Sequence, residues 1–172
     1  MNKNKVSPIM YSKLVVGKSS DAQWEQFGRE DPYWAVLTSD EFRKENLTKE
    51  VKEEFFRTGE EHVNQIISKI EDGFSIEFRP RRSVDFGCGT GRILVNLSKV
   101  SEEVVGVDIS KSMISEGKSN CLELGVDNAS FVVSTDSLDG LDGEFDFVHS
   151  FLCLLHINPK RGYKIMGNLL DR

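Results

Sequence analysis

Three alternating glycines stand in Val84-Asp-Phe-Gly-Cys-Gly-Thr-Gly-Arg92, at Gly87, Gly89 and Gly91. An apolar run enters them and a helical pattern leaves them. Glycine accepts the positive φ such a bend needs, and without a side chain it lets a ligand approach the backbone. In an open α/β sheet this is where ligands bind, outside the carboxyl ends of the strands. The spacing is G-x-G-x-G; Arg92 stands where the dinucleotide fingerprint G-x-G-x-x-G would place its third glycine. That fingerprint sets a pyrophosphate on a helix N-terminus, so a ligand without a pyrophosphate fits this loop better. Asp108 ends a second apolar run, Val104-Val-Gly-Val, 21 residues after Gly87. A carboxylate there can accept hydrogen bonds from the two hydroxyls of a ribose. Asp85-Phe86-Gly87 also spells a kinase triplet, but no H-R-D loop or glycine-rich phosphate loop precedes it.

Other side chains able to do chemistry are few. His149 and His156 flank the end of a predicted fourth strand and are the candidates for acid–base work. His156 follows the apolar run Phe151-Leu-Cys-Leu-Leu155, which favours a packed, satisfied ring. His62 falls on a predicted surface helix and is expected in solvent. Cys88, Cys121 and Cys153 are odd in number and far apart, with no C-x-x-C pair, so neither a zinc site nor a disulfide framework is expected. Cys88 has no base beside it and reads as loop lining or filler.

These residues need elements to hold them. Residues 1–20 read as a flexible arm with a short strand at Lys13–Val16, and 21–80 as an N-terminal helical cap. Within the cap, Asp21–Gly28 suggests a short helix. Val51, Phe55, Gly59, Val63, Ile66, Ile67 and Ile70 share one face of a long helix that Gly73 would stop. Trp24, Tyr33 and Trp34 either close over the site or anchor cap to core, the second being the commoner role. From residue 81 strand and helix patterns alternate: a strand at Val84–Gly87, a helix at Arg92–Val100, and a strand at Glu103–Asp108. A helix capped by Ser110 then runs to Leu124, followed by strands at Ala129–Ser134 and Phe145–Ser150 and a last helix after Asn158-Pro159. That alternation predicts an α/β, Rossmann-like, doubly wound and mostly parallel sheet, with residues 81–172 as its core.

Bulk properties narrow the partners. The chain has 172 residues, 38% of them hydrophobic and 29% charged, and a net charge of −6. The negative sign disfavours a nucleic-acid partner. No signal peptide or apolar span is visible, so a cytoplasmic protein without membrane association is expected.

The residues together resemble a known family. Val84–Arg92 resembles the first motif of class I S-adenosylmethionine-dependent methyltransferases, and Val105-Gly-Val-Asp-Ile-Ser-Lys-Ser-Met113 the second. Phe131-Val-Val-Ser-Thr-Asp136 resembles that family's third strand and adenine-facing loop, and Gly143 through His156 its fourth strand and the adjoining segment. Asp31–Leu37 and Phe55–Gly59 are similar to the cap of its small-molecule branch. The resemblance implies S-adenosylmethionine as cofactor, a small-molecule acceptor and no resident metal. It implies that Asp85 helps hold the methionine ammonium, that Gly87, Cys88 and Gly89 line the amino-acid tail, and that Gly91 is also cofactor-binding. Asp108 would bind the ribose, Ile109 and Met113 would pack on the adenine, and Asp136 and Ser137 would approach its edge. Ser150 would sit near the sulfonium. Plainer roles stay open for several: Met113 as core, Asp136 and Ser137 as turn residues.

The family sheet has seven strands, ordered 3-2-1-4-5-7-6, and only four are found here. The expected core is therefore C-terminally incomplete, with strand 4 an open edge able to pair with another copy. Two functions are compatible with this: a methyltransferase, or a truncated, catalytically silent fragment that binds the cofactor. An NAD-linked oxidoreductase is a third reading, which the glycine spacing opposes.

Overall fold

The computed structural model describes residues 19–172; the expected arm strand at Lys13–Val16 lies outside them. Two short helices come first, α1 (Ser20–Glu30) and α2 (Pro32–Val36), and then the long helix α3 (Lys49–Phe74). The core then runs β1 (Arg82–Phe86), α4 (Leu94–Leu97), β2 (Glu103–Asp108), α5 (Lys111–Glu123), β3 (Ala129–Val133), β4 (Phe147–His149) and α6 (Pro159–Leu170). The four strands are parallel in the order β3-β2-β1-β4. The chain moves outward from β1 through β2 to β3 and returns to place β4 on the other side of β1. That reversal leaves a crevice at the carboxyl ends of β1 and β4.

Alternation along the strands builds two cores. Val84, Phe86, Val105 and Val107 face one side and pack with Leu138, Leu141, Ile165 and Leu169. Val104 faces the other, where Phe55, Phe56, Val63, Ile93, Leu94 and Leu97 cover it. Central strands covered on both faces read as continuous apolar runs.

Local chemistry fixes the helix ends. Thr48 caps α3 by accepting the Val51 N–H, Ser110 caps α5 through Met113 N–H at 3.1 Å, and Asn158 caps α6. The stop expected at Gly73 is one residue early: α3 continues to Phe74 and ends on Ser75, which takes the left-handed conformation at φ 54°. Gly73 lies in helical backbone with open space around it. The expected helix at Arg92–Val100 narrows to one turn, Leu94–Leu97, flanked by turns. Strand 4 shrinks to three residues.

The cap is joined to the core by buried polar contacts. Tyr33 donates to Asn120 Oδ1 at 2.8 Å, and Asn120 Nδ2 donates to the Thr90 carbonyl at 2.9 Å. Asn96 Nδ2 bridges the carbonyls of Phe56 and Arg92. Tyr33 and Trp34 are buried, so these two aromatics anchor cap to core; Trp24 packs edge-on to His156, their centroids 5.1 Å apart. Gly59 permits this packing, because a Cβ there would drive into the Arg92 carbonyl. Two glycines of one helix should therefore respond oppositely to alanine. Gly59→Ala is expected to lower unfolding stability by about 1–3 kcal/mol through overpacking. Gly73→Ala should raise it by about 0.5–1 kcal/mol through helix propensity. Urea denaturation of both variants checks the pair; a gain at Gly59 would contradict this packing.

Candidate functional site

Strand β1 delivers its chain into the glycine bend at the crevice. Gly87, Gly89 and Gly91 all take positive φ, at 78°, 54° and 87°. The amides of Gly87 and Cys88 both donate to the Val107 carbonyl, so the bend is bonded onto the end of β2. Asp108 closes the same corner: Gly89 N–H donates to Oδ2 at 2.9 Å and Ser110 N–H to Oδ1 at 2.8 Å. The expected juxtaposition of glycine bend and strand-end carboxylate is present. Burial raises the Asp108 carboxyl above its ordinary value, against the opposing pull of those two amides.

Asp85 and Ser150 mark the other side. Asp85 is almost fully buried, and its Oδ1 accepts from His149 Nδ1 at 2.8 Å. Its Oδ2 is buried without a hydrogen-bond partner, as are Ser150 Oγ and Arg92 Nε. Arg92 belongs to this site although residue order marks it only as a helix start. It is 5% exposed, donates to Thr58 Oγ1 at 3.2 Å and sits over the Phe151 ring. A small cleft of about 40 Å³ lies between Val36, Asp85, Gly87, Arg92, Phe151 and Leu152.

His62 corrects the expectation from sequence. It is not a solvated surface ring: its Nε2 lies 3.1 Å from His149 Nε2, and its ring packs on Phe151 with centroids 4.2 Å apart. The apolar face of α3 points at the sheet, and one turn of that helix carries His62 over the end of β4. The pattern of α3 hints at this, because Gly59 and Val63 on either side belong to its inward face. Burial pushes the His62 imidazole down to about 4, helped by His149, Arg92 and Lys69 and opposed by Asp85. His156 stays apart from this cluster against Trp24, and burial lowers its pKa too.

Several expected contacts are occupied by the protein itself. Met113 is 2% exposed, and a Cβ on Gly28 of α1 would lie 3.1 Å from its Cγ, so α1 covers it. Ile109 is half-buried beside Asp108. Asp136 does not stand free for an adenine edge: Arg161 Nε donates to both its oxygens, at 2.6 and 2.8 Å, while the same guanidinium holds Asp21 of α1. Ser137 is engaged within its own turn by Asp139 and Thr135. Glu25 of α1 accepts from Ser110 Oγ, Ser112 N–H and Ser112 Oγ at the start of α5. Burial works against its ionisation, but these bonds outweigh that and hold its pKa low. Cys88 is buried with its thiol pushed well up by burial, which fits lining and not nucleophilic chemistry.

The bend is also closed from above. A Cβ on Gly87 would meet Cys153 Sγ at 2.5 Å, and one on Gly89 would meet Val36 Cγ2 at 2.8 Å. The space expected for an adenosyl group is filled by these two side chains. Pockets for ligands of that size run to roughly 300 Å³ or more, far above the cleft seen here. Leu152, next to Cys153, holds a left-handed φ of 60°, a strained conformation for a branched residue. Among the described residues no cluster of metal-binding side chains occurs, and no helix is long and apolar enough to cross a membrane.

Known proteins resemble this chain in sequence and in fold. The family described as "Methyltransferase domain" matches residues 84–171, half of the chain. A ubiquinone biosynthesis O-methyltransferase of Methylococcus capsulatus is 33% identical over 78 residues, covering 45% of this chain and 33% of that one. A 23S rRNA (uracil(747)-C(5))-methyltransferase of Vibrio vulnificus is 30% identical over 77 residues, 45% of this chain and 20% of that one. The matched stretch thus spans a third or less of these curated relatives. Among solved structures, magnesium protoporphyrin IX methyltransferase of Synechocystis with bound SAM superposes with a TM-score of 0.63 at 20% identity, covering 91% of this chain and 73% of that one. The N-methyltransferase NodS of Bradyrhizobium japonicum gives 0.63 at 11%, over 90% and 67%. At these identities the two structures establish the fold, a Rossmann-like one.

His62 should make stability depend on pH. With a folded pKa near 4 against 6.5 for the free ring, the unfolded chain binds more protons at His62 between those values. Stability should therefore be full above about 6.5 and fall as pH drops toward 4. Allowing for the ring's partial exposure, the loss is about 1–2 kcal/mol. Denaturation at a series of pH values should show it, and His62→Gln should flatten the curve by that amount. An equally steep curve in the variant would place the effect elsewhere.

Proposed function

The chain belongs to the methyltransferase-domain family, and from that premise we propose that it binds S-adenosylmethionine at the glycine bend and serves methyl transfer to a small-molecule acceptor. The observation that carries this reading is the bond between the Asp108 carboxylate and the Gly89 amide. It sets a ribose-binding acid beside glycines that add no side chains of their own. The Asp108 carboxylate accepts the Gly89 and Ser110 N–H groups, with the Ile109 amide also turned to it; with about four lone-pair sites in all, it keeps capacity for a hydroxyl.

The donor set fits the cofactor. Asp85 Oδ2 is an unpartnered buried acceptor for an ammonium group, and Arg92 Nε an unpartnered donor on the same cleft. When bound, S-adenosylmethionine supplies a methyl group on a sulfonium that is already activated. The protein's part is then to bind, orient and exclude water. Asp108 would hold the ribose, the glycine bend with Asp85 would face the amino-acid end, and Ser150 would lie toward the sulfonium. Val36 and the segment around Cys153 must withdraw from the bend to admit the ligand.

Acid–base assistance is needed only where an acceptor must lose a proton. His149 and His62 are the rings bonded to or packed on the cleft residues Asp85 and Phe151, and His156 is held apart against Trp24. The negative net charge favours a small acceptor over a nucleic acid, although one relative is named for a ribosomal RNA reaction.

Isothermal titration with S-adenosylhomocysteine and with NAD tests the assignment. Binding of the first and not the second is expected; binding of NAD alone would reject it. Asp108→Ala should weaken S-adenosylhomocysteine by about 1.5–3 kcal/mol, the worth of hydrogen bonds to a charged group. Unchanged affinity would remove Asp108 from the site.

A further inference from the structure

A carboxylate at the end of β1, a ring at the end of β4 and a ring on the cap helix α3 form one hydrogen-bonded chain: Asp85 Oδ1 to His149 Nδ1 at 2.8 Å, then His149 Nε2 to His62 Nε2 at 3.1 Å. Packing does not require such a chain. A buried carboxylate with an unpartnered oxygen is costly, and a neutral side chain of similar size would fill the space without that cost. Two facts instead orient it toward a ligand. Its inner end is Asp85 Oδ2, buried and without a partner on the cleft. Its outer end is His62, the partly exposed member.

We propose that His62 and His149 are positioning residues, which hold the Asp85 carboxylate turned so that Oδ2 receives the α-ammonium group of an amino-acid-bearing ligand. The inference rests on reading the cleft as a cofactor site. Counting protons gives the chain a direction. Asp85 as carboxylate only accepts, so His149 must carry its proton on Nδ1. His149 Nε2 in the neutral ring is then an acceptor and needs the N–H of His62 Nε2, which leaves His62 Nδ1 as the unprotonated nitrogen. The charged groups around the pair are Asp85 from β1, Arg92 from the turn before α4 and Lys69 from α3. The two cations resist a charge on His62. In this direction His149 donates from Nδ1 to Asp85 Oδ1, which leaves Oδ2 open to a cation.

A ligand pair separates this role from plain packing. S-adenosylhomocysteine carries the amino-acid tail; 5′-methylthioadenosine has the same nucleoside end without it. His62→Leu removes the N–H that holds His149, and should weaken S-adenosylhomocysteine about tenfold while leaving 5′-methylthioadenosine within about twofold. His62→Gln, whose amide can donate to His149 Nε2, should restore most of the loss. Equal weakening of both ligands would reduce His62 to packing, and unchanged affinity for both would overturn the relay. In either case wild-type binding leaves the cofactor reading intact. Wild-type protein that binds neither ligand would reject both. Nitrogen NMR of the wild-type imidazoles tests the chain independently of any variant: His149 should carry its proton on Nδ1 at neutral pH, and a proton on Nε2 alone would refute the proposal.

Discussion

The cleft is organised around a buried negative charge. Asp85 lies one residue before the end of β1, in the middle of the sheet, at 2% exposure, where an uncompensated carboxylate costs several kcal/mol. Compensation comes from three separate parts of the chain: His149 on the neighbouring strand, His62 behind it on the cap helix, and the Arg92 guanidinium across the cleft. The charge thus ties cap, sheet and glycine bend together at one point. Phe151 packs on His62 and lies under the Arg92 guanidinium, so the segment after β4 belongs to the same cluster.

The cap is pinned to the core around this point. Glu25 grips the start of α5, Arg161 joins Asp21 of α1 to Asp136 after β3, and Tyr33 reaches Asn120. Buried or partly buried bonds of this kind are directional, so they set where α1 and α2 sit as well as that they sit there. The consequence is a closed bend, with Val36 against Gly89 and Cys153 against Gly87. Closing a site expels water and strengthens its electrostatics, but it also means that ligand entry must move the cap or the strained turn at Leu152.

Both cores fit this arrangement. The side of the sheet facing the cap carries Asp85 beside large apolar contacts from α3 and α4. The opposite face is mainly apolar, under α6 and the loop holding Leu138 and Leu141, with the Arg82–Glu103 ion pair at its amino-terminal edge. Polarity is concentrated at the carboxyl ends of the strands, where the chain reversal between β1 and β4 leaves room for it.

Much of this is legible in the residue order, because it depends on local rules. Alternating strand and helix periods specify a parallel sheet, Ser110 and Asn158 mark helix starts, and three glycines with an acid 21 residues beyond mark the ligand corner. Each rests on backbone preference or side-chain period over a short window. What needed the tertiary structure was every pairing between distant segments. The inward face of α3 hints that His62 turns to the sheet, but no local pattern identifies its partner as His149, 87 residues away. Nor does local pattern show that Arg161 occupies Asp136, that α1 buries Met113, or that Val36 and Cys153 fill the bend. Helix α3 passes Gly73 because a single glycine costs only about 1 kcal/mol, less than the packing of the helix supplies. Sequence determined which elements form and which corner carries polar chemistry; packing decided which of those polar groups are left free, since that depends on what else each one meets.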